Sequence, residues 1–216
     1  MGRYIIGVDL GQAHDYTAIS ILHDNEESEE QHLRIGHLER VPLGTEYPDI
    51  VKYVLGLCDK PKLKGATIVV DKTGVGAPVI DMFNQANAVV VAVTITGGTN
   101  VSGDEDSGFH VPKRDLVNAV LTGLQSGELR ISKLLKYSKK LIEEVRTFKY
   151  KLSAAGHDTY DSIRESAHDD LILSVCLPVW YARQAPPLQV FMGGSPALSK
   201  DEKREGADRI MRGFNE

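Results

Sequence analysis

Four aspartates stand at positions from which carboxylate chemistry is readily assembled. Asp9 closes the apolar run Tyr4-Ile-Ile-Gly-Val, Asp71 closes Ile68-Val-Val, and Asp169-Asp170 precede Leu171-Ile-Leu. The first two end expected strands and the pair opens an expected helix. Grouped carboxylates cost free energy, because like charges repel and loss of water raises their pKa. A fold that gathers them usually does so around divalent cations, and hard oxygen donors suit Mg²⁺ or Mn²⁺. Two such ions about 3.5–4 Å apart suit hydrolysis at a phosphate centre and need no protein nucleophile. The chain offers none: it has no Gly-x-Ser-x-Gly turn, and Cys58 and Cys176 both lie in apolar helical patterns.

The elements that must position these acids are visible as patterns. Residues 3–10, 16–23 and 33–41 read as three short strands in an antiparallel meander, with 24–30 as a solvated hairpin loop. Helical spacing over 48–58, a buried strand over 66–70, a helix over 75–87 and a second buried strand over 88–95 follow. Residues 96–108 are turn-rich without periodicity, which predicts a long mobile loop. Pro112 suits the first position of a helix over 113–125, 128–131 suggests a short strand, and 134–145 is amphipathic. Residues 146–152 alternate like a strand and 159–163 could pair with them, so a β-hairpin is expected before the last helix. That helix, 167–182, is apolar on nearly every side, and Pro178 is expected to kink or end it.

The fold class is therefore α/β: three antiparallel strands, then alternating helix and strand, with helices on both faces of a mixed sheet. In such sheets chemistry collects at the ends of central strands. Asp71 follows Asp9 by 62 positions, and both emerge at one edge if their strands are neighbours. Gly11 and Gly74 let the backbone turn away and leave room for a ligand. Asp169 and Asp170 differ by about 100° around a helix axis, so one faces the cluster while the other reaches a second ion or an outer partner. The metal reading leaves the acids without need of a matching Arg. His168 is read as an outer partner of the ligands, and Asp15, His157, Asp158 and Asp161 as turn residues.

Composition narrows the function further. The 216 residues are 42% hydrophobic and 25% charged, enough for one domain with a real core. Residues 1–183 make that domain, and 184–216, rich in Pro, Gly and charge, read as a flexible or partner-binding tail. No apolar run approaches the ~20 residues of a membrane span, and the first residues lack a signal-peptide pattern. A net charge of −5 argues against indiscriminate coating of nucleic acid. Yet residues 130–151 hold eight basic side chains (Arg130, Lys133, Lys136, Lys139, Lys140, Arg146, Lys149, Lys151) against Glu143 and Glu144. Such a stretch is either a solvated helix face or a surface that tracks phosphates. With the acids, it points to a metal-dependent nuclease.

The strand-Asp-x-Gly start, the Val69-Val-Asp-Lys-Thr-Gly-Val-Gly-Ala-Pro-Val79 block, Val111-Pro-Lys-Arg-Asp-Leu-Val117 and His168-Asp-Asp-Leu-Ile-Leu-Ser-Val175 together resemble the nuclease domain of the large terminase subunit of tailed bacteriophages. The resemblance spans roughly residues 3–183 and implies a ribonuclease H-like fold. It implies cutting of concatemeric double-stranded DNA during genome packaging, in the cytoplasm of an infected bacterium. Asp9, Asp71, Asp169 and Asp170 would hold two Mg²⁺ or Mn²⁺ ions, and the 146–163 hairpin would lie beside the site. Lys113 and Arg114 would contact phosphates, and Lys72, Arg146, Lys149 and Lys151 are further candidates. The terminase ATPase domain, the portal protein and the small terminase subunit are implied partners.

One departure from a whole large subunit stands out. No Gly-x-x-x-x-Gly-Lys-Ser/Thr phosphate loop is present, and the chain starts directly on the first nuclease strand, as an excised domain would. DNA cleavage without ATP hydrolysis is the expectation. Two alternatives stay open: a fragment of an actin-like ATP-binding phosphotransferase, and a non-catalytic DNA-binding or docking module.

Overall fold

The computed structural model describes residues 2–11, 15–25, 32–74, 76–154 and 169–184, with residues 149–154 described by backbone alone. Apolar alternation makes the meander: β1 (Arg3–Asp9), β2 (Ala18–Asn25) and β3 (His32–Arg40), each antiparallel to the next. Helix α1 (Tyr47–Cys58) carries Pro48 in its first turn, where a missing N–H costs nothing. Strand β4 (Thr67–Asp71) is followed by α2 (Gly76–Gln85) and β5 (Val90–Thr96). Next come β6 (Ser102–Asp104), β7 (Gly108–Pro112), α3 (Lys113–Ser126) and β8 (Leu129–Ile131). Helices α4 (Ser138–Ala154) and α5 (Asp170–Gln184) complete the described elements.

The strands form one mixed eight-stranded sheet in the order β6-β7-β5-β4-β1-β2-β3-β8. Strands β1, β4, β5 and β7 are parallel neighbours in series. Because side chains alternate across a strand, the sheet has two apolar faces. Ile5 and Val69 join the core beneath α3, α4 and α5, while Ile6, Val8, Ile68 and Val70 join the core beneath α1 and α2. Asp9 and Asp71 share parity with Ile5 and Val69, so both lie on the α5 side.

Helix α5 is buried from Asp170 to Ala182, which explains its lack of a polar face. It runs through Pro178 to Gln184 instead of ending there. A proline leaves the carbonyl four residues back without its donor, and here the Ser20 hydroxyl donates to Ser174 O at 2.7 Å. Beside it, Gly7 lets the helix close on β1. A Cβ at Gly7 would lie 2.1 Å from Ser174 O and 2.4 Å from Pro178 Cδ.

Three local expectations are corrected. Residues 146–152 belong to α4, not to a strand, because Leu141, Glu144, Val145 and Phe148 turn inward at helical spacing and outweigh the local alternation. The 159–163 half of the expected hairpin lies outside the described residues, as do His157, Asp158, Asp161 and residues 185–216 of the expected tail. The 96–108 stretch is not all loop: β6 pairs with β7 through a turn in which Asp104 Oδ1 accepts from the amide and hydroxyl of Ser107. Asp24, assigned to a solvated loop, is a buried strand residue whose carboxylate accepts from Arg3 Nε at 2.8 Å. Among the described residues no helix is long and apolar enough to cross a membrane.

Candidate active site

The parallel pairing of β1 with β4 runs from Ile5 opposite Thr67 to Val8 opposite Val70. The next step in that register sets Asp9 beside Asp71, at the carboxyl ends of adjacent central strands. Asp71 is fixed by its own turn, since its Oδ1 accepts from the Thr73 amide at 2.7 Å and Thr73 Oγ1 accepts from the Ile95 amide at 2.9 Å. Gly74 takes a positive φ of 74°, and a Cβ at Gly76 would lie 2.5 Å from Asp71 O, so the chain leaves the strand tightly. Asp169 precedes α5 and its carbonyl accepts from the Leu173 amide, the first bond of that helix. Asp170 is the first helical residue, where the helix dipole favours negative charge.

These groups share one electrostatic environment. Asp9 is buried, and its pKa is pushed well up, first by loss of water and then by Asp71, Asp169 and Asp170, against a downward pull from Lys113. Burial likewise raises Asp71, opposed by its bonds to Thr73 and by Lys113, with Asp169 adding to the rise. Lys113 and Arg40 bring the positive charge. Lys113 directly follows β7 and Arg40 ends β3, strands that run in the same direction as β1, so both meet the acids at the same sheet edge.

Lys113 Nζ donates to Asp169 Oδ2 at 2.6 Å and lies 5.1 Å from the centre of the Phe148 ring. Arg40 grips both oxygens of Asp170, Nε to Oδ2 at 2.6 Å and Nη2 to Oδ1 at 2.7 Å, and lies over the Tyr16 ring. The expectation that the acids need no matching Arg is thus overturned. The reason is topological: Arg40 is 130 positions from Asp170 and meets it only through the sheet.

Glu144, buried on α4, completes the cluster. Its Oε1 accepts from Arg40 Nη2 at 2.9 Å and its Oε2 accepts from the Ile172 amide at 2.9 Å. Burial pushes Glu144 up to about 7, and Asp170 and Asp169 add to the rise against the pull of the Ile172 amide and Arg40. Arg40 and Glu144 escaped the sequence reading, although each left a signal. Arg40 ends its strand as Asp9 and Asp71 end theirs, and Glu144 interrupts the apolar stripe of Leu141, Val145 and Phe148.

Of the other candidates, Lys72 and Arg114 are half-buried, and Arg114 Nη2 donates to Thr99 O at 2.9 Å. Arg146 is exposed on the outer face of α4, with Lys139 beside it and Arg130, Lys133 and Lys136 exposed before that helix. His168 and the side chains of Lys149 and Lys151 lie outside the described residues. Among the described residues, no three His, Cys, Asp or Glu side chains converge as they stand in a geometry that would hold an ion. Asp169 and Asp170 are turned to Lys113 and Arg40. The donor set still fits a divalent cation: the acids offer oxygen ligands only, Asp9 is held against its preference for charge, and the Lys113 ammonium already serves as a cation among them.

No protein-family model and no curated protein matches the sequence. Solved structures do match the fold. The large terminase nuclease of thermophilic phage G20c with bound cobalt is 22% identical over 82% of this chain and 80% of that one, with a TM-score of 0.57. The same nuclease with bound magnesium gives 19% identity and a TM-score of 0.56, and with bound zinc 21% and 0.54, at the same coverage. This chain therefore has the fold of a large-terminase nuclease domain, built on a mixed eight-stranded sheet.

Proposed function

We propose that this chain is a metal-dependent DNA endonuclease that cuts concatemeric viral DNA during genome packaging, with little sequence preference. The observation that carries the reading is the grouping of Asp9, Asp71 and Asp169 at the carboxyl edge of the sheet, where Asp9 is strongly destabilised as an anion, first by loss of water and then by the other carboxylates. Asp9 and Asp71 would hold Mg²⁺ or Mn²⁺ from rigid adjacent strands, and Asp169 and Asp170 from the start of α5. A pair of such ions supplies an activated water and stabilises the departing 3′ oxygen.

The chain's own residues do the rest. Asp9 and Asp71 would anchor a cation at the strand ends, and the buried body of α5 would keep Asp169 beside them. Lys113 balances the acids and would offer its ammonium to a phosphate brought to them. Arg130, Lys133, Lys136, Lys139 and Arg146 offer an exposed basic surface that suits double-stranded DNA, with Lys72 and Arg114 nearer the acids. The portal protein, the small terminase subunit and an ATPase domain follow as partners only if packaging is the setting.

A second reading, in which the acids serve structure alone, is favoured by the ion pairs on Asp169 and Asp170. Plasmid digestion separates the two. Nicking and linearisation are expected with Mg²⁺ or Mn²⁺ and not with chelator, and both should vanish in Asp9→Ala and Asp71→Asn. Cleavage that survives chelation, or variants that cut as well as the wild type, would remove the nuclease reading.

A further inference from the structure

We propose that Glu144 is a positioning residue that acts through Arg40 and the Ile172 amide to hold Asp170 at the head of α5, a role that rests on the nuclease reading above. Glu144 spends one oxygen on each partner: Oε1 on Arg40 Nη2 and Oε2 on the Ile172 N–H, both at 2.9 Å. The amide is among the first-turn groups that a helix cannot satisfy internally, so α4 caps α5 from outside. The same Arg40 Nη2 also reaches Asp170 Oδ1, and Nε reaches Oδ2. A rigid guanidinium fork with both carboxylate oxygens engaged fixes the direction of a side chain, not only its charge.

Three elements distant in sequence thus converge on one acid. β3 brings Arg40, α4 brings Glu144 and α5 brings Asp170 with the amide. The Glu144 side chain is 4% exposed, so neither donor it holds has water as a ready substitute. One turn further along α4, Phe148 lies beneath the Lys113 ammonium that binds Asp169. One face of α4 therefore stands behind both members of the aspartate pair. Groups that orient ligands from outside typically change metal affinity or activity when removed.

The test compares wild type, Glu144→Gln and Arg40→Lys as full chains, by Mn²⁺ titration calorimetry without DNA, plasmid cleavage kinetics and thermal unfolding. Glu144→Gln keeps an acceptor for only one of its two donors. It should lower Mn²⁺ affinity and kcat by about 10-fold while KM for DNA stays within about twofold, the lower end of the range for outer partners. Arg40→Lys keeps the charge, loses the fork and should fall at least as far; it carries the test if Glu144→Gln does not fold. A lower unfolding temperature with unchanged Mn²⁺ affinity and kcat would overturn the proposal and leave the nuclease reading intact. A wild type that neither binds Mn²⁺ nor cuts DNA would overturn both.

Discussion

Asp9 bears a heavy electrostatic penalty as an anion, because water is excluded and three further carboxylates face it. Asp9→Asn should therefore have opposite effects on chemistry and stability. Cleavage should fall by more than the ~100-fold seen for outer partners of a metal site. The metal-free protein should nonetheless melt higher at pH 7, by a few degrees if about 1 kcal/mol of repulsion is relieved. The pH dependence follows with a definite sign. A carboxyl whose pKa is raised on folding binds its proton more tightly in the native state, so its stabilisation is present below the unfolded value and lost as pH rises through the folded one. For Asp9 and Asp71 that loss begins above 3.8, and for Glu144 it spans 4.5 to about 7. Urea midpoints in chelator should show Asp9→Asn gaining steadily on the wild type as pH rises from about 4 to neutrality, and saturating Mn²⁺ should narrow the gap. A constant difference across that range would contradict the arrangement.

At the scale of elements, the packing of α5 on β1 decides whether Asp169 and Asp170 reach the strand-end acids at all. Gly7 and Ser20 form one register pair across β1 and β2, and each answers a feature of α5: close approach at Pro178 and the freed carbonyl of Ser174. Gly7→Ala should cost at least the ~1–3 kcal/mol of an overpacked core, and Ser20→Ala about 1–3 kcal/mol for a buried carbonyl left unpaired. Denaturant midpoints measure both, and Gly7→Ala should also lower kcat because it displaces the head of α5. The strands β1 to β5 were legible because burial on one or both faces imposes period-two or continuous apolar runs. Residues 146–152 were misread because a short stretch of alternation fits a strand locally, while the inward face of α4 spans the longer interval from Leu141 to Phe148.

The whole molecule combines net negative charge with a local positive surface. Lys139 and Arg146 stand on the exposed side of α4, opposite the face that carries Glu144 and Phe148. Replacing both with Gln should reduce the slope of log affinity against log salt by about 0.9 for each phosphate that is no longer neutralised. Mn²⁺ affinity measured without DNA should not change. A filter-binding series between about 50 and 200 mM salt checks this, and an unaltered slope would move the DNA to another surface.

Read as sequence, the chain determined which residues end strands and which open a helix, since hydrophobic periodicity and the placement of Asp9, Asp71 and Asp169-Asp170 are local properties. It also determined the α/β class, because the order of elements is written along the chain. Only the tertiary structure decided that Arg40 would grip Asp170, that Lys113 would lie against Asp169 and that Glu144 would stand behind them. Those pairings are set by strand order and helix docking across 130, 56 and 28 positions, and no periodicity in a single segment encodes a partner that distant.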